Sequence, residues 1–471
     1  MNTEPKRPQL VRGLGLSAAI SINVANMIGT GVFLKARVMT CNVGTPALVF
    51  TVWIAAGLLV LAGTFCYAEV GSLLPEAGGQ YVFVRRAYGR LLGFMQGWTT
   101  FSVAIAASEA ALAVGFAIFL NVAVGGVLSA DLVLARFPGI GITLHVSYLT
   151  LAALAAIWMM ALLNCRSVAS GGRMALILTV IKVLLVVAVG ASAIAFARGN
   201  VAHLALSGAN GTCEGVLPSA RGGIAGFGAA MLGALWAYDG WNNVAPLVGE
   251  IKDPARNVAR VFVWSTVAVG GLYLFANFAY YYVLTPSEIA SVPASSSVAT
   301  EVMRRFVGPE AVVFVAVALM ISSIGALYVS MLANTRVPFA MARDGLFFRR
   351  LAKVSAATRV PINAIVAQAA WSSVLTLSGS YDTLTDASIF TLWLFYGLSA
   401  GSVFVFRRTM PHATRPYRAF GYPWIPAAFI AVTVCLIINT FVATPRLALT
   451  GVALMLAGLP FYAWWTRSAA H

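Results

Sequence analysis

The stretch "ANMIGTGVFL", Ala25 to Leu34, lies inside an apolar run that begins near Gly13 and continues to about Met39. A run of that length can cross a bilayer, yet Gly29, Thr30 and Gly31 sit at its middle. Glycine costs a helix about 1 kcal/mol against alanine. In lipid, the peptide groups that an interrupted helix releases must also find partners elsewhere. A chain that accepts both penalties at mid-span is expected to use the interruption.

The 471 residues are 60% hydrophobic and 10% charged, with a mean hydropathy of +0.86. A soluble domain is about 25% charged, so the composition is that of an integral membrane protein. The five cysteines (Cys41, Cys66, Cys165, Cys213 and Cys435) are far apart, with no CxxC and no Cys/His grouping. Neither a disulfide framework nor a metal site is expected. The polar, basic start "MNTEPKRPQLVR" has no small-residue cleavage site after the first apolar run, so a cleaved signal peptide is not expected.

Windows of about 20 apolar residues mark spanning helices. Twelve are found, near 14–39, 46–73, 91–120, 146–164, 170–197, 224–249, 259–283, 311–340, 362–378, 385–406, 424–441 and 447–465. With the N-terminus inside, the inner loops and tails collect 21 Lys and Arg and the outer side 8, while Lys182 and Arg336 lie within spans. Both termini are therefore expected to be cytoplasmic. The net charge of +16 is then mostly a topology signal, and nucleic-acid binding is not expected.

A second interruption, "GALWAYDGWNNV" (Gly233–Val244), falls in the sixth span, with Asp239-Gly240 at the break. The first and sixth spans are the first members of two five-helix halves. Gly-interrupted segments at matching places in two halves point to a transporter's binding site, whereas close packing of small residues would explain one such segment alone. The half-helix starting after Gly31 offers the N–H groups of Thr30, Gly31 and Val32 with the positive end of its dipole, which suits a carboxylate. The half-helices ending near Met27–Ile28 and Trp236–Ala237 offer carbonyls, which suit an ammonium. The pair matches the head of an α-amino acid.

At these residues the sequence resembles the amino acid–polyamine–organocation superfamily, and most closely its L-type amino acid transporter branch. "NMIGTGVFL" resembles the family's first-helix motif, "YAEVGSLLPEAGGQYVFVRRAYG" (Tyr67–Gly89) the second-helix end, and "LWAYDGWNNV" the sixth-helix motif. "SMLANTRVPFAMARDGLF" (Ser330–Phe347) and "RPYRAFGYP" (Arg415–Pro423) resemble the eighth-helix end and the segment before helix eleven. The resemblance implies an all-α membrane protein with a LeuT-like five-plus-five inverted repeat plus two helices, helices 1 and 6 being unwound at mid-membrane. The repeats would be 13–197 and 224–408, joined by an outer loop at 198–223 and followed by helices 11 and 12 at 409–466. Tails at 1–12 and 467–471 would be cytoplasmic. The resemblance also implies a substrate site at Met27, Ile28, Gly29, Thr30, Gly31, Trp236, Ala237, Asp239 and Gly240, with Trp236 as the outer gate. Animal members carry a cysteine after helix three that bonds a heavy-chain glycoprotein. The corresponding loop here, residues 121–146, has none, so no disulfide-linked heavy chain is expected and a stand-alone prokaryotic carrier is implied.

Ionisable residues within spans are costly and default to functional candidates. Lys182, in the fifth span, matches by resemblance the lysine that replaces a sodium ion. Asp239 either meets a cationic substrate side chain or caps the half-helix that follows it. Glu109, in the third span, could pair with Lys182, meet a cationic substrate, relay a proton or be purely structural. Glu69 reads as part of an inner gate, Tyr238 and Trp241 as packing, and Asn242 and Asn243 as partners for freed backbone groups.

The four histidines fall in predicted loops or the tail, and no GxxxxGK[ST] sequence is present, so neither an enzyme nor an ATP-driven pump is expected. No metal or cofactor is implied. The leading reading is a secondary carrier of L-amino acids in the plasma (inner) membrane, exchanging neutral or cationic substrates without sodium. The alternatives are a proton-coupled uptake permease and a non-transporting amino acid receptor.

Overall fold

The computed structural model describes residues 10–137, 142–293, 296–378, 381–443 and 445–468. Of the expected tails, residues 1–9 and 469–471 lie outside this set, Lys6, Arg7 and His471 among them.

The first apolar window forms two helices, α1 (Leu16–Met27) and α2 (Gly31–Val43), bent by 42° across Ile28–Thr30. α2 stops at Gly44, which adopts the left-handed conformation (φ 77°) that ends helices without a Cβ penalty. α3 (Pro46–Leu73) starts at once. Thr45 Oγ1 accepts the N–H of Leu48, and Pro46 takes a first-turn position where a missing N–H costs nothing. α4 (Gln80–Tyr88) leads to α5 (Arg90–Thr99) and α6 (Ile105–Ala123), which run on through a π turn at Thr100–Ala104. Such turns are often found at functional sites. The expected plain loop after α6 contains a hairpin instead, β1 (Asp131–Phe137) paired antiparallel with β2 (Ile142–Ser147). α7 (Tyr148–Asn164) begins with a Ser147/Thr150 capping box and is followed by α8 (Val168–Phe196).

The sixth window is shorter than expected. α9 (Gly223–Ala237) ends at the break, the chain turns over residues 238–244, and a short 3-10 helix covers Ala245–Glu250. α10 (Pro254–Val283), α11 (Pro286–Ala290), α12 (Val298–Arg304) and α13 (Ala311–Asn334) follow. α13 gives way to α14 (Arg336–Arg343) because Pro338 has no N–H for, and clashes with, the carbonyl four residues earlier. The chain closes with α15 (Ile362–Ser378), α16 (Tyr381–Thr409), α17 (Trp424–Ala443), α18 (Pro445–Leu456) and α19 (Leu459–Ser468). Pro460 again explains why the last window is two helices.

Among the described residues, α3, α5–α6, α8, α10 and α13–α14 are long and apolar enough to cross a membrane, and the bent α1–α2 pair makes a sixth such span. α7, α9, α15 and α17 are apolar but shorter. Large apolar side chains point outward: Leu58 is 62% exposed, Leu162 70% and Phe196 73%. Apolar exposure of this extent marks a lipid-facing surface.

One expectation is overturned. Cys41 and Cys213, 172 residues apart in sequence, form a disulfide with Cα atoms 5.6 Å apart. Sequence spacing could not pair them, because the segment after α8 folds back over the end of α2. Gly208 donates its N–H to Gly44, Gly222 donates to Asn42, and the Asn42 side chain donates to Ala220. The expectation of no metal cluster concerns a different arrangement; among the described residues no group of three or more potential ligands is found.

Candidate functional site

The two breaks face each other. α2 packs along α9, and Gly31 makes that approach possible: a Cβ there would lie 2.7 Å from the Ala237 Cβ and 3.3 Å from the Trp236 ring. Gly240, at φ 91°, is just as constrained, since a Cβ on it would stand 2.8 Å from the Asn26 carbonyl oxygen. Between the breaks lies a cavity of about 80 Å³, enough for several waters or a small solute. Met27, Gly29, Thr30, Gly31, Trp236, Ala237, Asp239 and Gly240 all line it. Of the nine residues expected at the site only Ile28 does not. Its side chain is buried and its carbonyl turns the other way.

The first turn of α2 leaves unpaired N–H groups, as any helix start does. Among the described residues no acceptor is seen for those of Gly31 and Val32. The carbonyls are a different matter, for most of those expected to be free are occupied. Lys182 Nζ donates to the carbonyls of Ala25 and Ile28, 2.8 Å each. Ser322 Oγ lies 3.2 Å from the carbonyls of Ile28 and Gly29. Tyr273 Oη lies 2.7 Å from the Met27 carbonyl and 2.8 Å from that of Ala237, so one hydroxyl on α10 spans both breaks. The N–H groups of Gly29 and Asp239 donate to Met27 and Trp236. A carbonyl has two lone pairs, and by this count that of Ala237 keeps one for an incoming ammonium.

Lys182 reaches α1 past Gly325 of α13, where a Cβ would come within 2.8 Å of the lysine stem. Its two carbonyl bonds occupy the place a bound cation would take at the end of a half-helix. It lies outside the cavity. Asp239 lines the cavity, and its Oδ1 accepts from Tyr396 Oη at 2.8 Å. Glu109 is fully buried and makes no contact with Lys182 among the bonds observed. Ser372 (2.9 Å), Gln368 (3.2 Å) and Ser330 (3.5 Å) donate to its carboxylate. Ser330 lines the cavity, as do Ser108, Asn26 and Asn243. Asn23 braces the second break from α1, donating to the Trp241 carbonyl at 2.8 Å.

Trp236 lines a second, larger cavity of about 890 Å³ as well, which widens from its ring past Lys35, Arg37 and Arg304. Toward the opposite side only about 10 Å³ remains, among Gln80, Gln96, Thr100, Asn242 and Asn243. Below that the helices are cross-braced. Glu69 holds Arg407 (2.7 Å), Arg415 (3.4 Å) and the N–H of Ala419 (2.6 Å). Asp344 holds Arg85 at 3.1 Å and Tyr81 at 2.7 Å, and Arg336 is buried against Glu250 at 2.7 Å. The site is open toward Lys35 and shut toward Glu69.

The sequence matches the amino acid permease family over residues 14–464. It is 28% identical over 458 residues to the serine/threonine exchanger SteT of Bacillus subtilis, covering 96% of each chain. It is 27% identical over 463 residues to the b(0,+)-type amino acid transporter 1 of Mus musculus, covering 98% of this chain and 89% of that one. The large neutral amino acids transporter small subunit 2 of Oryctolagus cuniculus is 28% identical over 458 residues, with coverages of 96% and 80%.

Proposed function

Because the chain belongs to the amino acid permease family, we propose that it is a secondary carrier moving L-amino acids across the plasma membrane by alternating access. The observation that carries the reading is the small cavity between two helix ends, with N–H groups at Gly31–Val32 on one side and the Ala237 carbonyl on the other. In this reading the substrate carboxylate sits on the N–H groups around Gly29, Thr30 and Gly31, and its ammonium faces Ala237. Trp236 closes the site from the Lys35 side. The twelve windows are twelve spans, built as inverted repeats at 13–197 and 224–408 followed by two further helices.

Transport is sodium-independent exchange, because the Lys182 ammonium already takes the carbonyls that a cation would need. Neutral and cationic amino acids are the substrates, and the polar lining of Asn26, Ser108, Asp239, Asn243 and Ser330 favours side chains that form hydrogen bonds. A second reading, proton-coupled uptake, draws on Glu109, a carboxylate buried among neutral donors one residue from the cavity. Two independent signals support cytoplasmic termini. The basic loops gather on the Glu69 side, and the Cys41–Cys213 bond lies on the other side, which then faces an oxidising compartment. With no cysteine in the loop after α6, the carrier works without a disulfide-linked heavy chain.

The test is uptake of labelled amino acids into proteoliposomes, either empty or loaded with unlabelled amino acid, with and without a pH gradient. Exchange requires internal amino acid, and proton coupling requires the gradient. Binding with no uptake in any condition would overturn the carrier reading in favour of a receptor.

A further inference from the structure

The inner and outer cavities share Trp236 but differ in charge. Asp239 is the only charged side chain on the inner wall, whereas Lys35, Arg37, Arg304 and Glu301 line the outer one. Arg304 pairs with Glu301 at 3.6 Å, and Arg37 donates to the Glu214 carbonyl at 2.6 Å. Lys35 is placed differently. It lies on α2 one turn beyond Gly31, on the same face. Its stem runs over Gly233 of α9, where a Cβ would be 3.9 Å from Lys35 Cδ, and its ammonium rests 4.7 Å from the centre of the Trp236 ring. That is a cation–π distance. A solute passing from the large cavity to the small one must go by this ammonium.

We propose that Lys35 is a specificity-determining residue that filters solutes by net charge at the gate, favouring neutral and anionic amino acids over cationic ones before Asp239 can act on the side chain. The inference rests on the carrier reading of the same site. A fixed cation in a narrow, low-dielectric mouth concentrates carboxylates and repels a net positive solute. In water-rich surroundings two unit charges about 4 Å apart interact by roughly 1 kcal/mol, which is about a fivefold change in rate. Because the ammonium is pinned to the ring, it stays at the entrance as the gate moves with α2 and α9. Charge selectivity then has two opposed components, Asp239 within and Lys35 at the mouth.

The test compares initial uptake of lysine, leucine and glutamate in proteoliposomes for the wild type, Lys35→Met and Lys35→Arg, at low and high ionic strength. Methionine keeps the stem over Gly233 and removes only the charge, and arginine keeps the charge. In Lys35→Met the lysine-to-leucine ratio should rise about three- to tenfold and glutamate uptake should fall, while Lys35→Arg behaves as the wild type. The wild-type ratio should move toward that of Lys35→Met as salt is added. If Lys35→Met slows all three substrates alike, the side chain is gate packing and the filter is wrong. Should no protein take up any amino acid, the carrier reading fails by itself. Association rates for the same amino acids and proteins in nanodiscs then decide the filter, an unchanged lysine-to-leucine ratio overturning it.

Discussion

The two helix breaks solve the same problem in different ways. The first, at Ile28–Thr30, is three residues long and is served from outside by Lys182, Ser322 and Tyr273. The second, at residues 238–244, is longer and carries its own polar residues, Asp239, Asn242 and Asn243. Neighbours reach it at only a few points, through Tyr396, Asn23 and Tyr273. A short break can be held in shape by other helices and can present bare peptide groups to a solute. A long one brings side chains to the same surface and with them chemical preference. On this comparison the first break fixes what every substrate shares, the amino acid head, and the second sorts among side chains.

Removing Lys182 should have the largest effect. Lys182→Met strips two charge-assisted bonds from buried carbonyls, at about 2–4 kcal/mol. Uptake should fall to the level of empty liposomes, with a lower melting temperature. Gly31→Ala comes next, because its Cβ meets Ala237 backbone as well as side-chain atoms. Loss of uptake on the order of 100-fold is expected for leucine and arginine alike. Tyr273→Phe takes one shared hydroxyl from both breaks and should cost about tenfold in uptake, again without regard to substrate. Asp239→Ala probes the other half of the contrast. The arginine-to-leucine uptake ratio should drop about tenfold while leucine uptake changes little, and an unchanged ratio makes Asp239 only a cap for the break. The smallest effect belongs to Gly29→Ala. No atom lies within 4 Å of the added Cβ, so folding should be untouched and uptake should stay within about threefold. A Gly29 variant as damaging as the Gly31 one would end the idea that close packing, rather than glycine content, defines the first break.

Much of this was legible in the residues. Gly29-Thr30-Gly31 and Asp239-Gly240 announced the breaks because glycine and a lone acid are conspicuous in apolar spans. Lys182 stood out for the same reason, and eight of the nine expected site residues line the cavity. Tyr273, Ser322, Tyr396 and Asn23 did not stand out. Hydroxyls and a single amide in a helix look like ordinary packing until the acceptor they meet, often more than 200 residues away, is known. The occupancy of the carbonyls was therefore misjudged, since sequence shows which peptide groups a break releases but not who claims them. Cys41 and Cys213 were invisible for a related reason: their pairing depends on a long connection folding back over α2. Lys35 was counted as a loop charge, though it lies inside α2 and against the gate ring.

Trp236 is both roof to the small cavity and floor to the large one. A molecule with an amino acid head and a rigid, bulky tail could seat the head among the Gly29–Gly31 peptides while the tail props the indole aside. Such a compound would be held but never delivered, and about 890 Å³ of space beyond the ring leaves a chemist ample room to design the prop.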